Sequence, residues 1–197
     1  MTATTTSREA ILAKIRVARP AVAVAHPMVS AYPVAGDAVE NFCARLHGLD
    51  GEAILFSSRD EALDWLKGTI DAGAKVVFSA VDDCPGTITA GQLTDPHAAN
   101  VVDVCIAEGV LGVGETGSVW VTDGVLKVAA AALFSTDLYL LLDTGKIVDG
   151  IHEAYRRIDL RANSYGAFYS GPSATADIEA VHVTGAQGEI TLTVLLY

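Results

Sequence analysis

The residues best suited to chemistry lie in two segments richer in Gly, Ser and Thr than a packed core needs. The first is Gly109-Val110-Leu111-Gly112-Val113-Gly114-Glu115-Thr116-Gly117-Ser118. Glycines let backbone N–H groups approach an anionic ligand and form a concave nest. Within such a turn Glu115 is the candidate nucleophile or general base, because a desolvated carboxylate is raised in pKa. The N–H groups of Gly114 and Gly117 are then candidates to stabilise developing negative charge. The spacing is neither a P-loop nor a G-x-G-x-x-G opening a helix. A hairpin or bulged turn that needs positive φ accounts for the same glycines.

The second segment is Ser170-Gly171-Pro172-Ser173-Ala174-Thr175-Ala176-Asp177-Ile178-Glu179. A strand ending near Tyr169 is expected to feed a short helix with Ser173 or Thr175 as N-cap. Asp177 and Glu179 would then lie in its first turn, at the positive end of the dipole. Ligand binding by Ser173 and Thr175 and simple capping remain alternatives at this stage. His26, His47, His97, His152 and His182 show no paired metal spacing, so no metal site is expected. His152 and His182 are expected on helices, facing solvent. Cys43, Cys84 and Cys105 lack the density of a cluster or disulfide framework. Cys43 and Cys105 read as small core hydrophobes, and Cys84, in a turn with Asp82 and Asp83, as the exposed thiol.

These segments must be held by a scaffold, and the pattern supplies one. Helical stripes run through Ile11, Ile15 and Ala18 after a Thr6/Glu9 box, through Val39 to Leu46, and through Ala62, Leu66 and Ile70 after a Ser58/Glu61 box. The last stripe ends near Gly73. A fourth helix is expected from about Thr144 through Ile158. Between them, Ala53–Phe56, Lys75–Phe78, Val101–Ile106, Ser118–Val121, Asp137–Leu142 and Ile190–Leu196 read as strands. Gly112 to Thr122 suits a hairpin. Strands alternating with helices imply a mainly parallel α/β sheet in a single domain over residues 1–197, with an N-terminal helix and connection over residues 1–35.

Composition bounds the partners. The chain has 197 residues, 51% of them hydrophobic, and a net charge of −11. It can bury a core without staples. The charge argues against nucleic acid and anionic membrane surfaces as partners. No leader or apolar span is visible, so a cytoplasmic location is expected.

At the two glycine-containing segments the chain resembles the LUD domain, the lactate-utilisation protein C family. Glu115-Thr116-Gly117-Ser118 stands where the family has an Ala-(Asp/Glu)-Thr-Gly-Thr turn. Ser170 to Glu179 stands where it has Ser-Gly-Pro-Ser-Arg-Thr-Ala-Asp-Ile-Glu. The resemblance implies a three-layer Rossmann-like α/β sandwich similar to the sugar-phosphate isomerase and CoA-transferase group. It also implies an accessory subunit in bacterial oxidation of L-lactate to pyruvate. Iron–sulfur clusters would then reside only in partner proteins, with no cofactor bound directly. The alternative is an enzyme or binding protein for a phosphorylated, CoA-linked or folate-like anion. It would use Glu115 for catalysis and Gly114, Thr116, Gly117, Ser118, Gly171, Pro172, Ser173, Thr175 and Asp177 for binding. Three departures bear on that alternative. Ala174 replaces the family Arg, Gly185-Ala186-Gln187-Gly188-Glu189 replaces Gly-Val-His-Gly-Pro, and Lys127 to Phe134 replaces an Arg-containing stretch. Each removes a group able to make charge-assisted hydrogen bonds to an anion.

Overall fold

In the computed structural model the described residues are 7–20, 25, 33–71, 75–186 and 188–197. They form helices α1 (Ser7–Ala18), α2 (Ala38–His47), α3 (Arg59–Asp71), α4 (Asp123–Leu126), α5 (Ala129–Phe134) and α6 (Ile151–Arg157). The strands are β1 (Glu52–Leu55), β2 (Val77–Ser79), β3 (Val104–Glu108), β4 (Leu111–Val113), β5 (Ser118–Thr122), β6 (Asp137–Leu142), β7 (Ile147–Val148), β8 (Gly166–Tyr169), β9 (Ala174–Ile178), β10 (Val181–Thr184) and β11 (Thr191–Leu196). The chain divides into a unit of residues 1–31, which contains α1, and a unit of residues 32–197, which contains everything else.

The larger unit is built on a five-stranded sheet of order β1-β11-β6-β3-β2, parallel throughout. Its strands show how a period of two sorts side chains to opposite faces. Leu138, Leu140 and Leu142 of β6, Leu192, Val194 and Leu196 of β11, and Cys105 and Ala107 of β3 enter one core with Phe42 and Leu46 of α2. Leu141, Leu195, Val104 and Ile106 point the other way, against Ala62, Leu63 and Leu66 of α3. Burial on both faces explains why these strands are nearly all apolar. A second, four-stranded sheet of order β7-β4-β5-β8 shares the α2 side through Val119, Val121 and Tyr169. The fold is therefore α/β with a mainly parallel central sheet flanked by helices.

Asp37 starts α2 by accepting hydrogen bonds from the N–H groups of Val39 (2.9 Å) and Glu40 (3.0 Å), as an N-cap should. Ser58 does the same for Glu61 N–H, while the Glu61 carboxylate accepts from Ser57. The Thr6 half of the first box, Gly73 and most of the Pro20–Pro33 connection lie outside the described residues.

Several expectations are corrected. The pattern from Thr144 to Ile158 is a 3-10 turn, the short strand β7 and then α6, because Ile147 and Val148 pair with β4 before Gly150 opens the helix. Residues 96–101 form a 3-10 turn capped by Asp95, so β3 begins at Val104 rather than Val101. The second motif leads into the hairpin β9–β10, not a helix, and His182 lies exposed on β10. Its turn residues Glu179 and Ala180 both have positive φ, 54° and 58°, the twist a two-residue hairpin turn requires. Cys84 is buried rather than exposed, and burial raises its thiol pKa. Cys105 is buried as expected, with its pKa pushed up to about 12, so its thiolate is scarce at neutral pH.

Candidate functional site

The first motif is the turn between antiparallel β4 and β5. Its N–H groups are engaged within the fold. Gly114 N–H donates to Val148 O, Glu115 N–H to Asp149 O, and Gly117 N–H to Val113 O, all at 2.8–2.9 Å. The Glu115 carboxylate reaches across to α6 and accepts from Ile151 N–H at 2.9 Å. It thus satisfies one of the donors that a helix start leaves orphaned, and it sits at the favourable end of the dipole. A Cβ at neighbouring Gly150 would lie 3.1 Å from that carboxylate, so a glycine there leaves room for the cap.

Beside this cap, three hydroxyls tie the two motifs together. Ser118 Oγ donates to Thr116 Oγ1 at 2.6 Å, Ser118 and Ser170 hydroxyls are 2.9 Å apart, and Ser170 Oγ donates to Thr116 O at 3.0 Å. Ser118 is buried, where a hydroxyl needs such partners. The glycines close the same joint against α2 and the loop after it. A Cβ at Gly114 would stand 2.7 Å from Ala38 O, at Gly117 2.4 Å from Leu46 N, and at Gly171 2.3 Å from Leu49 O.

Two open clefts flank the joint. One, of about 410 Å³, is lined by Ala44, Arg45, Gly48, Leu49, Thr116 and Ser170. The other, of about 310 Å³, runs past Tyr165, Phe168, Tyr169, Ser170 to Ser173, Leu133 and Glu189. Ser173 N–H donates to Glu189 O at 3.0 Å, and a Cβ at Gly188 would lie 2.9 Å from Ser173 Cβ and 3.4 Å from Leu133 O. The three segments that depart from the family pattern therefore meet at one cleft. Thr175 and Asp177 are elsewhere, on the β9–β10 hairpin, where Asp177 N–H donates to Thr175 Oγ1 and Asp177 is exposed. At the carboxyl ends of β2 and β3, Arg59 pairs with both Asp83 and Glu108, and Lys127 with Asp82 at 2.6 Å. The two cations there are thus engaged by three carboxylates, which leaves one negative charge in excess. Among the described residues no three His, Cys, Asp or Glu side chains are grouped to hold a metal.

Sequence reasoning missed Tyr169 as a site residue. It also named Glu189 only as the end of a replaced segment. Glu189 is 5% exposed, and burial pushes its carboxyl above the usual range despite its own backbone amide. Tyr169 is 8% exposed with its hydroxyl buried, and burial, together with the neighbouring Tyr165 hydroxyl, raises its pKa. A lone acid following Gly188 at the mouth of a strand was the available signal for Glu189. A carboxyl that holds its proton more tightly when folded favours the folded state at acid pH. That contribution is lost as pH rises from the ordinary carboxylate range through the raised value. Glu189→Gln is therefore expected to be more stable than the parent at pH 7–8, with the difference shrinking toward pH 4. Thermal unfolding of both proteins across that range checks it, and a parent-favouring difference at pH 8 would contradict it.

The fold and the joined Ser/Thr/Gly motifs define an α/β domain of the kind the sequence resemblance implied. The LUD domain profile matches residues 95–197, and the chain belongs to that family. In fold it is similar to the crystal structure of a DUF162 family protein from Deinococcus radiodurans, with a TM-score of 0.64 and 12% sequence identity. That similarity covers 81% of this chain and 95% of the other. No functionally curated protein matches the chain. No helix among the described residues is long and apolar enough to cross a membrane.

Proposed function

We propose that this LUD-domain chain is a cytoplasmic accessory subunit in bacterial oxidation of L-lactate, or a related organic acid, to pyruvate. The two electrons lost by lactate would pass to iron–sulfur partner proteins, with no cofactor held by this chain. One observation carries the non-catalytic part of the reading: the Glu115 carboxylate is occupied by the Ile151 N–H. The neighbouring Gly114 and Gly117 amides are likewise bonded to backbone carbonyls. Family membership supports the pathway. The test is a pull-down of the tagged protein from its own host grown on lactate, with iron quantified in the eluate. Stoichiometric recovery of iron–sulfur oxidoreductase subunits is expected. A clean, iron-free protein would remove the reading.

A second reading has one observation in its favour. Arg45 lines the cleft beside Thr116 and Ser170, a cation next to hydroxyls, as a phosphorylated, CoA-linked or folate-like anion would require. Glu115→Gln separates the two. In the accessory reading it keeps partner binding and costs less than about 1 kcal/mol, since the Gln carbonyl still accepts the Ile151 N–H and only the charge–dipole part is lost. In the enzymatic reading it abolishes turnover of the anion.

A further inference from the structure

The β9–β10 hairpin is anchored at its root and bare toward its tip. At the root Gly185 N–H donates to Ser173 O at 2.6 Å, and a Cβ at Gly185 would meet Ile190 Cγ1 at 2.6 Å. Beyond the half-buried pair Thr175 and Val183, every residue from Ala176 to His182 is exposed. Among the described residues β9 and β10 pair with each other and with no other strand. Such a hairpin is marginal at best in water by itself. Its turn adds no stability, because Glu179 and Ala180 stand at positive φ where Gly or Asn is favoured. The cross-strand neighbours Ile178 and Val181 are 53% and 59% exposed. At about 3.3 Å per residue, β9 carries Ile178 roughly 13 Å from Ala174. The hairpin is therefore an arm whose apolar end is left for another surface to cover.

The chemistry of the tip selects that surface. Asp177 and Glu179 flank Ile178, and among the described residues neither carboxylate is in an ion pair. An acid–Ile–acid tip fits an apolar floor with a cation beside it. The cleft of about 410 Å³ has this make-up: Ala44 and Leu49, the latter 47% exposed, lie next to Arg45. Arg45 likewise has no ion-pair partner among the described residues. No hairpin residue lines that cleft, so the arm does not fill the cleft of its own chain. The arm nevertheless starts beside it, since Ser170 lines the cleft and β9 begins four residues later at Ala174. A surface that carries a projecting arm next to that arm's receptor is self-complementary, the condition for a closed two-fold pair. Two copies of net charge −11 repel at a distance. An interface between them needs opposite charges in contact, as Arg45 against Glu179 supplies.

We infer that the chain forms a two-fold homodimer by exchange of these arms. Ile178 of each copy lies on Leu49 of the other and the partner's Glu179 pairs with Arg45, so each cleft is completed by the second copy. The dimer does not depend on the lactate reading. Sedimentation equilibrium of the full chain at micromolar concentration tests it, and a dimer is expected. Ile178→Asp, Glu179→Arg and Arg45→Glu should each weaken dimerisation by about tenfold or more. Each buries a charge or sets like charges together, twice per dimer. All three positions are exposed, so the circular dichroism should not change. Mixing the Glu179→Arg protein with the Arg45→Glu protein should restore a dimer, because both contacts of the mixed pair then join opposite charges. A parent that stays monomeric overturns the inference, even where a different protein captures it. So does a dimer indifferent to all three substitutions, or a mixture no stronger than its components. Should a charge variant fail to fold, Ile178→Asp decides, and an unaltered dimer in that variant overturns the inference as well.

Discussion

Gly171→Ala is expected to lower the unfolding free energy by about 2–5 kcal/mol, with a matching fall in the urea midpoint. Two costs combine. Gly171 has φ +89°, which an L side chain rarely adopts, at a cost of about 1–2 kcal/mol in the left-handed region. The new Cβ would also stand 2.3 Å from Leu49 O, a backbone atom in the loop after α2 that cannot swing aside. Such overpacking costs about 1–3 kcal/mol. Gly68 provides the contrast. It lies inside α3, and a Cβ there would meet nothing within 4 Å. Gly68→Ala should therefore stabilise by about 0.5–1 kcal/mol through helix propensity alone. A loss below about 1 kcal/mol for Gly171→Ala would show that the joint between the second motif and the α2 loop yields easily.

Phe42→Ala should have an effect of similar or greater size, about 3–5 kcal/mol. Phe42 is fully buried on α2 and packs into the core that α2 shares with both sheets. Its truncation leaves a cavity where the close approach of Gly114 and Gly117 to α2 prevents the helix from settling inward. Urea unfolding measures the loss. Because α2 also contributes Arg45 to the cleft beside Thr116, the variant should disturb anion binding there if that cleft is used. A cost under about 1.5 kcal/mol would mean that the surrounding side chains collapse into the void.

The parts of the fold legible in the sequence were those governed by a local period. The strand Asp137–Leu142 was read at its observed ends because apolar side chains fill both faces and turn-forming residues bound it. The β4–β5 hairpin announced itself through its glycines. The second motif was misread for a physical reason. Ser173 and Thr175 followed by Asp177 and Glu179 mimic a capped helix start, while the hairpin turn is made by Glu179 and Ala180, which lack the Gly or Asn usual at positive φ. The clefts were less legible still. Leu133, Tyr169, Ser173 and Glu189 are brought together only by the pairing of distant strands, and no local pattern encodes that meeting. What the sequence did carry was the set of three altered segments, which the fold brings to one cleft.

The order of the central sheet also constrains how the chain acquires its structure during synthesis. β1 pairs with β11 alone, Glu52 opposite Thr193, and β11 is the strand inserted between β1 and β6. While the polypeptide is still growing, β1 has no neighbour in the sheet and β6 has only β3 as a strand partner. Completion therefore waits for the last strand, and contacts of such long sequence separation close slowly. A ribosome stalled before residue 191 would display a split sheet with an uncovered edge on β6, a target for chaperones rather than a folded intermediate.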